Sequence, residues 1–219
     1  MKSRVVNKQR VADHGEVLTG KREVDAMLDL VQQETRRIDS RFLEPACGDG
    51  NFLAEVLARK LGVVEERYGK SQLEYERYAV LAVSSVYGID ILEDNVRRCR
   101  ERLLRVFEAT YTHLFEGEAK CGCLAAVCFI LERNVIWGDA LTLKTAGVPE
   151  AEPIIFSEWS FVSGGLLKRR DFSFRELLAQ QSYKETPLFS DLGDEAFVPK
   201  PEKEYPPVHF LELADAQQH

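Results

Sequence analysis

The sequence predicts an α/β fold built on a mostly parallel, doubly wound sheet, and three observations carry that expectation. Strand-like and helix-like stretches alternate from about residue 41 to 160. The stretch FLEPACGDGNFL sets Gly48 and Gly50 between a short apolar entry and a helix-period run, the pattern of a tight strand-to-helix turn. The first three strand candidates each carry a carboxylate at their end: Glu44, Asp90 and Asp139.

The elements follow in order. Residues 21 to 38 place Val24, Met27, Leu28 and Val31 at helical spacing. RFLEP is a short strand, and NFLAEVLARKLG returns to helical spacing through Phe52, Val56, Leu57 and Leu61. QLEYERYAVLAVSS is expected to be helical and VYGIDI to be the second strand. A long helix from Glu93 turns Val96, Leu103, Phe107 and Tyr111 inward, CGCLAAVCFILE is another helix, NVIWGDAL a third strand and EPIIFSEW a fourth. GGLLKRRDFSFRELL predicts a solvated helix start after a flexible glycine pair, with a DNA-phosphate contact for Lys168, Arg169 and Arg170 as the alternative. From about residue 183 the chain turns rich in Pro, Asp and Glu, which predicts an irregular, partly disordered acidic tail; only PVHFLEL keeps a strand-like pattern.

Composition narrows the class. The chain has 219 residues, 45% apolar and 30% charged, enough for one domain with a sizeable core. No apolar run reaches the roughly 18 to 20 residues of a membrane span, and the polar start MKSRVVNKQR does not resemble a signal peptide, so a cytoplasmic protein with no membrane partner is expected. Five cysteines without disulfide spacing fit a reducing compartment. A net charge of -7 argues against a surface that grips nucleic acid all over, though a local basic patch is compatible with it.

Ligands of parallel sheets sit at the carboxyl ends of the strands, and glycines there let a ligand approach backbone N–H groups. A dinucleotide turn would need a third glycine where Leu53 stands, and its acid would follow the glycines, whereas Glu44 precedes them. A carboxylate at the first strand end suits a cationic ligand, and Asp90 at the second suits a ribose. Together they describe S-adenosylmethionine (SAM) better than NAD.

On these residues the chain resembles the N6-adenine-specific DNA methyltransferases of restriction-modification systems, particularly the type I modification subunits and related branches. EPACGDGNFL is similar to that family's first motif, which wraps the methionine part of SAM. The resemblance assigns cofactor contacts to Glu44, Ala46, Gly48, Gly50, Asn51 and Phe52. HGEVLTGKREVDAMLDLV resembles the preceding motif, so Thr19 carries over as a SAM contact, while Gly20 replaces the family's proline. YGIDI matches the ribose-binding strand end at Asp90 and Ile91, and IWGDAL the adenine-reading motif at Asp139 and Ala140. The implied architecture is a Rossmann-like SAM-dependent methyltransferase fold: an N-terminal helical segment with a SAM-contacting loop over 1–40, a SAM-binding core over 41–182 and the tail over 183–219, with the sheet incomplete on its C-terminal side.

The family's catalytic motif ends its fourth strand with Asp, Asn or Ser, two prolines and an aromatic, so that a flipped base stacks while its amine is held. EPIIFSEWSF occupies that position, with Glu158 and Trp159 in place of the prolines. Ser157 and Glu158 are then the amine acceptors, with Trp159 or Phe161 as the stacking face. Three functions follow from the resemblance: adenine-N6 methylation of DNA; a catalytically impaired SAM-binding or regulatory subunit needing a partner with the target-recognition part; or a methyltransferase acting on RNA, protein or a small molecule. DNA is the expected macromolecular partner, with a separate specificity subunit as one route to it.

Other groups have plainer explanations. Cys121, Cys123, Cys128 and His113 lack zinc spacing, since positions 121 and 123 diverge by about 200 degrees on a helix, and no metal is expected. Cys47 is assigned a packing role and His14 a hydrogen bond within its loop. The arginines of RRCRERLLR are expected on a solvated helix face.

Overall fold

The computed structural model describes residues 19–178 and 199–216. His14 and the part of the HGEVLTG motif before Thr19 lie outside the described residues, as does most of the predicted tail. The predicted first helix is present as α1 (Lys21–Leu30) and α2 (Gln32–Thr35), broken at Val31. Strand β1 (Phe42–Glu44) leads through the glycine turn into α3 (Asn51–Tyr68), followed by α4 (Gln72–Ser84) and β2 (Val86–Asp90). Then come α5 (Glu93–Leu114), α6 (Cys121–Asn134), β3 (Val135–Asp139) and the two-residue β4 (Lys144–Thr145).

Strands β1, β2 and β3 pair in parallel in that order, and β4 adds to β3 antiparallel, giving a mixed sheet. Because the strand order steps in one direction, crossovers of one hand carry α3–α4 and α5–α6 to the same side. Phe42, Val86 and Val135 face that side and share the main core with Leu53, Val56, Tyr75, Val80, Phe107 and Ile130. On the other face Tyr87 and Ile89 pack against Ile154, Phe156 and Phe174 in a second cluster that takes no residue from the four long helices. The fold is therefore α/β. Where long helices on both faces were expected, the second face is covered by Phe156 of a strand hairpin and by Phe174 and Leu177 of a short helical stretch over 174–178.

That hairpin comprises β5 (Ile155–Ser163) and β6 (Leu166–Ser173), which pair antiparallel across eight positions and turn at Gly164 and Gly165. The predicted helix start at Lys168–Arg170 is thus a strand. Its glycine pair serves a hairpin turn, with Gly164 at φ +51°. The expected fourth parallel strand, β5, belongs instead to a second sheet with β6, β7 (Lys203–Glu204) and β8 (Val208–His209). The predicted irregular tail is also corrected in part. A 3-10 turn (Phe210–Glu212) and α7 (Leu213–Ala216) put Phe210 and Leu213, both fully buried, into the main core against α6.

Two buried polar networks fasten the helical layer. Lys60, with no exposed surface, donates from Nζ to the Ile38 carbonyl at 3.1 Å, to Ser85 Oγ at 2.7 Å and to the Ser40 carbonyl. Burial lowers its pKa to about 7. Glu76, equally buried, accepts from Lys120 Nζ at 2.8 Å and from the Tyr111 hydroxyl, tying α4 to α5 and to the start of α6. Among the described residues no helix is long and apolar enough to cross a membrane.

Candidate functional site at the carboxyl ends of the parallel strands

The register fixes the relative heights of the three strand-end acids. Glu44 is level with Gly88, and Asp90 is level with Trp137. Each acid therefore stands two residues, roughly 6.6 Å, beyond its predecessor. Their side chains share a parity: Phe42 and Glu44, Gly88 and Asp90, and Trp137 and Asp139 alternate together toward the helical side. A stepped row of carboxylates thus borders the glycine turn.

The turn itself needs glycine twice, for different reasons. Gly48 has φ +53° and Gly50 has φ +82°, both in the left-handed region that side chains resist. A Cβ on Gly50 would lie 2.6 Å from Cys99 Sγ and 3.0 Å from its Cα, so that position is closed by packing. A Cβ on Gly48 would meet nothing within 4 Å, so space lies open there. Cys47 sits behind the turn, buried, with its N–H donating to the Ile89 carbonyl at 2.9 Å, and contact with the Cys99 thiol and burial push its pKa up. It is a packing residue.

Asp90 is already engaged. Its Oδ2 accepts from Gly48 N at 2.8 Å, and its Oδ1 accepts from Leu92 N at 2.9 Å and Asn95 Nδ2 at 3.2 Å. The carboxylate thereby ties the glycine turn to the start of α5. A carboxylate has about four acceptor sites, and three are used. Glu44 is half-buried, and desolvation holds its carboxyl above the usual range. Asp139 folds back on its own loop, accepting from Leu141 N at 2.8 Å and the Thr142 hydroxyl at 3.0 Å, which depress its pKa. Ile91 is half-exposed and Leu141 almost wholly so, giving the rim apolar surface. Ala46 is exposed beside the turn, while Phe52 and Ala140 pack at the edges of the main core and the second cluster.

Arg102 was missed by reading the α5 arginines as a solvated face. Its guanidinium donates to Asp49 Oδ2 at 2.7 Å and Asn51 Oδ1 at 3.0 Å, and Asn51 Nδ2 donates to the Thr19 carbonyl at 2.7 Å. One chain of bonds therefore runs from α5 through the turn to Thr19. Arg100 also turns inward, donating to the Val135 and Glu132 carbonyls at the end of α6.

The three residues predicted for methyl transfer stand elsewhere. Ser157, Trp159, Arg169 and Asp171 are cross-strand pairs on one side of β5–β6. Ser157 is 2% exposed; its hydroxyl donates to Asp171 Oδ1 at 2.7 Å and accepts from Arg169 Nε at 2.9 Å. Trp159 is 5% exposed, donates from Nε1 to Asn134 Oδ1 at 3.0 Å and meets Phe129 edge-on. Glu158, on the opposite side, is held by Arg170 at 2.6 Å and by Arg41. None of the three is at a strand end beside the acids, because β5 pairs with β6 in a second sheet.

Lys168 pairs with Glu204, Arg169 with Asp171 and Arg170 with Glu158, so this basic run is neutralised within its own sheet. Among the described residues no group of three or more His, Cys, Asp or Glu side chains is placed to hold a metal ion. Cys121 is exposed and Cys123 fully buried, on different sides of α6. Comparisons with protein-family models, with curated proteins and with solved structures find no match to this chain.

Proposed function

We propose that this chain is a SAM-binding subunit built on the cofactor half of a Rossmann-like methyltransferase fold. In this reading it serves adenine-N6 methylation of DNA in a restriction-modification or related system in the cytoplasm, and a partner supplies the base pocket and target recognition. The observation that carries the reading is the stepped row of Glu44, Asp90 and Asp139 around a turn with open space at Gly48.

The chemistry of the donor set fits the ligand. Glu44, partly desolvated, offers a carboxylate to a cation. Asp90 keeps one acceptor site for a ribose hydroxyl, and Ile91 offers an apolar face to a base. Arg102 and Asn51 hold the turn and Thr19 in place, so the pocket floor is preorganised. SAM, when bound, supplies a methyl group activated on a sulfonium.

Support for a partner-dependent rather than self-sufficient enzyme comes from Ser157 and Trp159. Their polar atoms are committed to Asp171, Arg169 and Asn134, and a stacking role for Trp159 would require its ring to leave the core. Calorimetry with SAM beside tritiated methyl transfer to unmethylated DNA tests the reading. Binding without transfer by the chain alone is expected; absence of binding sinks the proposal, and transfer by the chain alone overturns its subunit half. Asp90→Ala should weaken SAM binding by about 1 to 3 kcal/mol, as for loss of a charged hydrogen bond. An unchanged affinity would show that Asp90 serves only the turn.

A further inference from the structure

At the opposite, amino-terminal end of the parallel strands lies a cleft of about 320 Å³, walled by Arg41, Arg77, Trp159, Ser160 and Phe161. It is the size of a small-ligand site. Arg77, on α4, stands over the Phe161 ring at 5.1 Å and near Tyr78 at 5.5 Å. Its Nε–H is shielded from solvent and donates to no acceptor among the described residues, and none of its nitrogens lies within ion-pair distance of a carboxylate there. A guanidinium on a cleft wall without a carboxylate partner leaves its charge to an anion that enters the cleft.

Charge in the neighbourhood points the same way. Arg41, which also meets Glu158, is the second cation lining the cleft, so two arginines face it. Asp39, the one acid lining the cleft, lies 3.9 Å from Arg37 on its rim. Ser160 adds a hydroxyl to the wall, and Trp159 and Phe161 add apolar surface. The arginine fork matches the oxygens of a phosphate better than any neutral group.

We propose that this cleft binds a small phosphorylated molecule of about mononucleotide size, with its phosphate on Arg77 and Arg41 and its body against Phe161. The site is separated from the strand-end acids by the length of the sheet and does not depend on the SAM reading.

Calorimetric titration of the full chain with AMP, adenosine and inorganic phosphate tests it. AMP should bind and adenosine should not, with inorganic phosphate weaker than AMP, and affinity should fall as salt is raised. Arg77→Gln should weaken AMP by about tenfold to a hundredfold, the range for loss of a charged hydrogen bond, and Arg77→Lys should restore part of it. Arg41→Gln should weaken it independently, which keeps the test open if Arg77→Gln does not fold. AMP binding that survives both glutamine variants, adenosine binding as tightly as AMP, or no AMP binding at all overturns the proposal. So does AMP binding lost in Asp90→Asn but kept in Arg77→Gln, which would place the ligand at the strand ends.

Discussion

The glycine turn and the β5–β6 hairpin form a pair with opposite outcomes. Both carry polar and aromatic residues in patterns that predict chemistry, yet Gly48 borders open space while Ser157 and Trp159 are buried. At the turn the backbone makes the opening: positive φ at Gly48 and the absence of a Cβ leave room that no neighbour fills. In the hairpin the side chains find partners across the strands, Ser157 with Asp171 and Trp159 beside Arg169, and the same residue types become structure.

Trp159→Ala should break the hairpin side of this comparison most severely. Loss of a buried indole and its bond to Asn134 should cost about 3 to 5 kcal/mol in urea unfolding. A cost below about 1 kcal/mol would mean that the ring is free to stack on a ligand.

The two glycines sharpen the turn side. Gly50→Ala combines a left-handed φ with a clash against Cys99 and should cost about 2 to 4 kcal/mol. Gly48→Ala should cost only about 1 kcal/mol in stability while blocking the open space, so SAM binding measured by calorimetry should fall far more than stability does. Equal losses in both measures would erase the distinction between a packed and a ligand-facing glycine.

Lys60 gives a smaller effect that can be read by pH. Its pKa falls from 10.5 to about 7 on folding, so between those values the unfolded chain holds the extra proton and stability rises with pH. The rise should be on the order of 1 kcal/mol per pH unit. It should be cleanest between about pH 7 and 9, before Cys123 and Tyr75, whose pKa values burial raises, oppose it. Lys60→Met should flatten the slope; an unchanged slope would assign it to other groups.

The smallest expected effect lies at Glu44. Burial raises its pKa, so at acidic pH it is protonated and unable to meet a cation. SAM affinity should rise with pH through that titration, and Glu44→Gln should remove the rise without changing the melting temperature much. A pH dependence retained in Glu44→Gln would move the cation contact elsewhere.

Much of residues 19 to 140 was legible because periodicity and turn chemistry are local. Leu53, Val56, Leu57 and Leu61 had to share one helix face, and a chain that turns on Gly48 and Gly50 had to leave β1 for α3 at that point. Less legible was whatever depended on a distant partner. Arg102 looks like any arginine of a charged helix until Asp49 and Asn51 stand beside it. KRRDFS reads as a charged helix start because its partners in β5, Glu158 and Trp159, are remote in sequence and only register pairs them. Phe210 and Leu213 follow a proline-rich stretch, which hides that they complete the core against α6.

By itself, the sequence determined the three parallel strands, the helices between them and a glycine turn followed by a row of strand-end acids, since each follows from local spacing and backbone freedom. Only the tertiary structure decided which face β5 joins, and so whether Ser157, Glu158 and Trp159 meet a ligand or one another. The physical reason is that a strand's hydrogen-bond edges and alternating side chains are compatible with several neighbours, and burial selects among them.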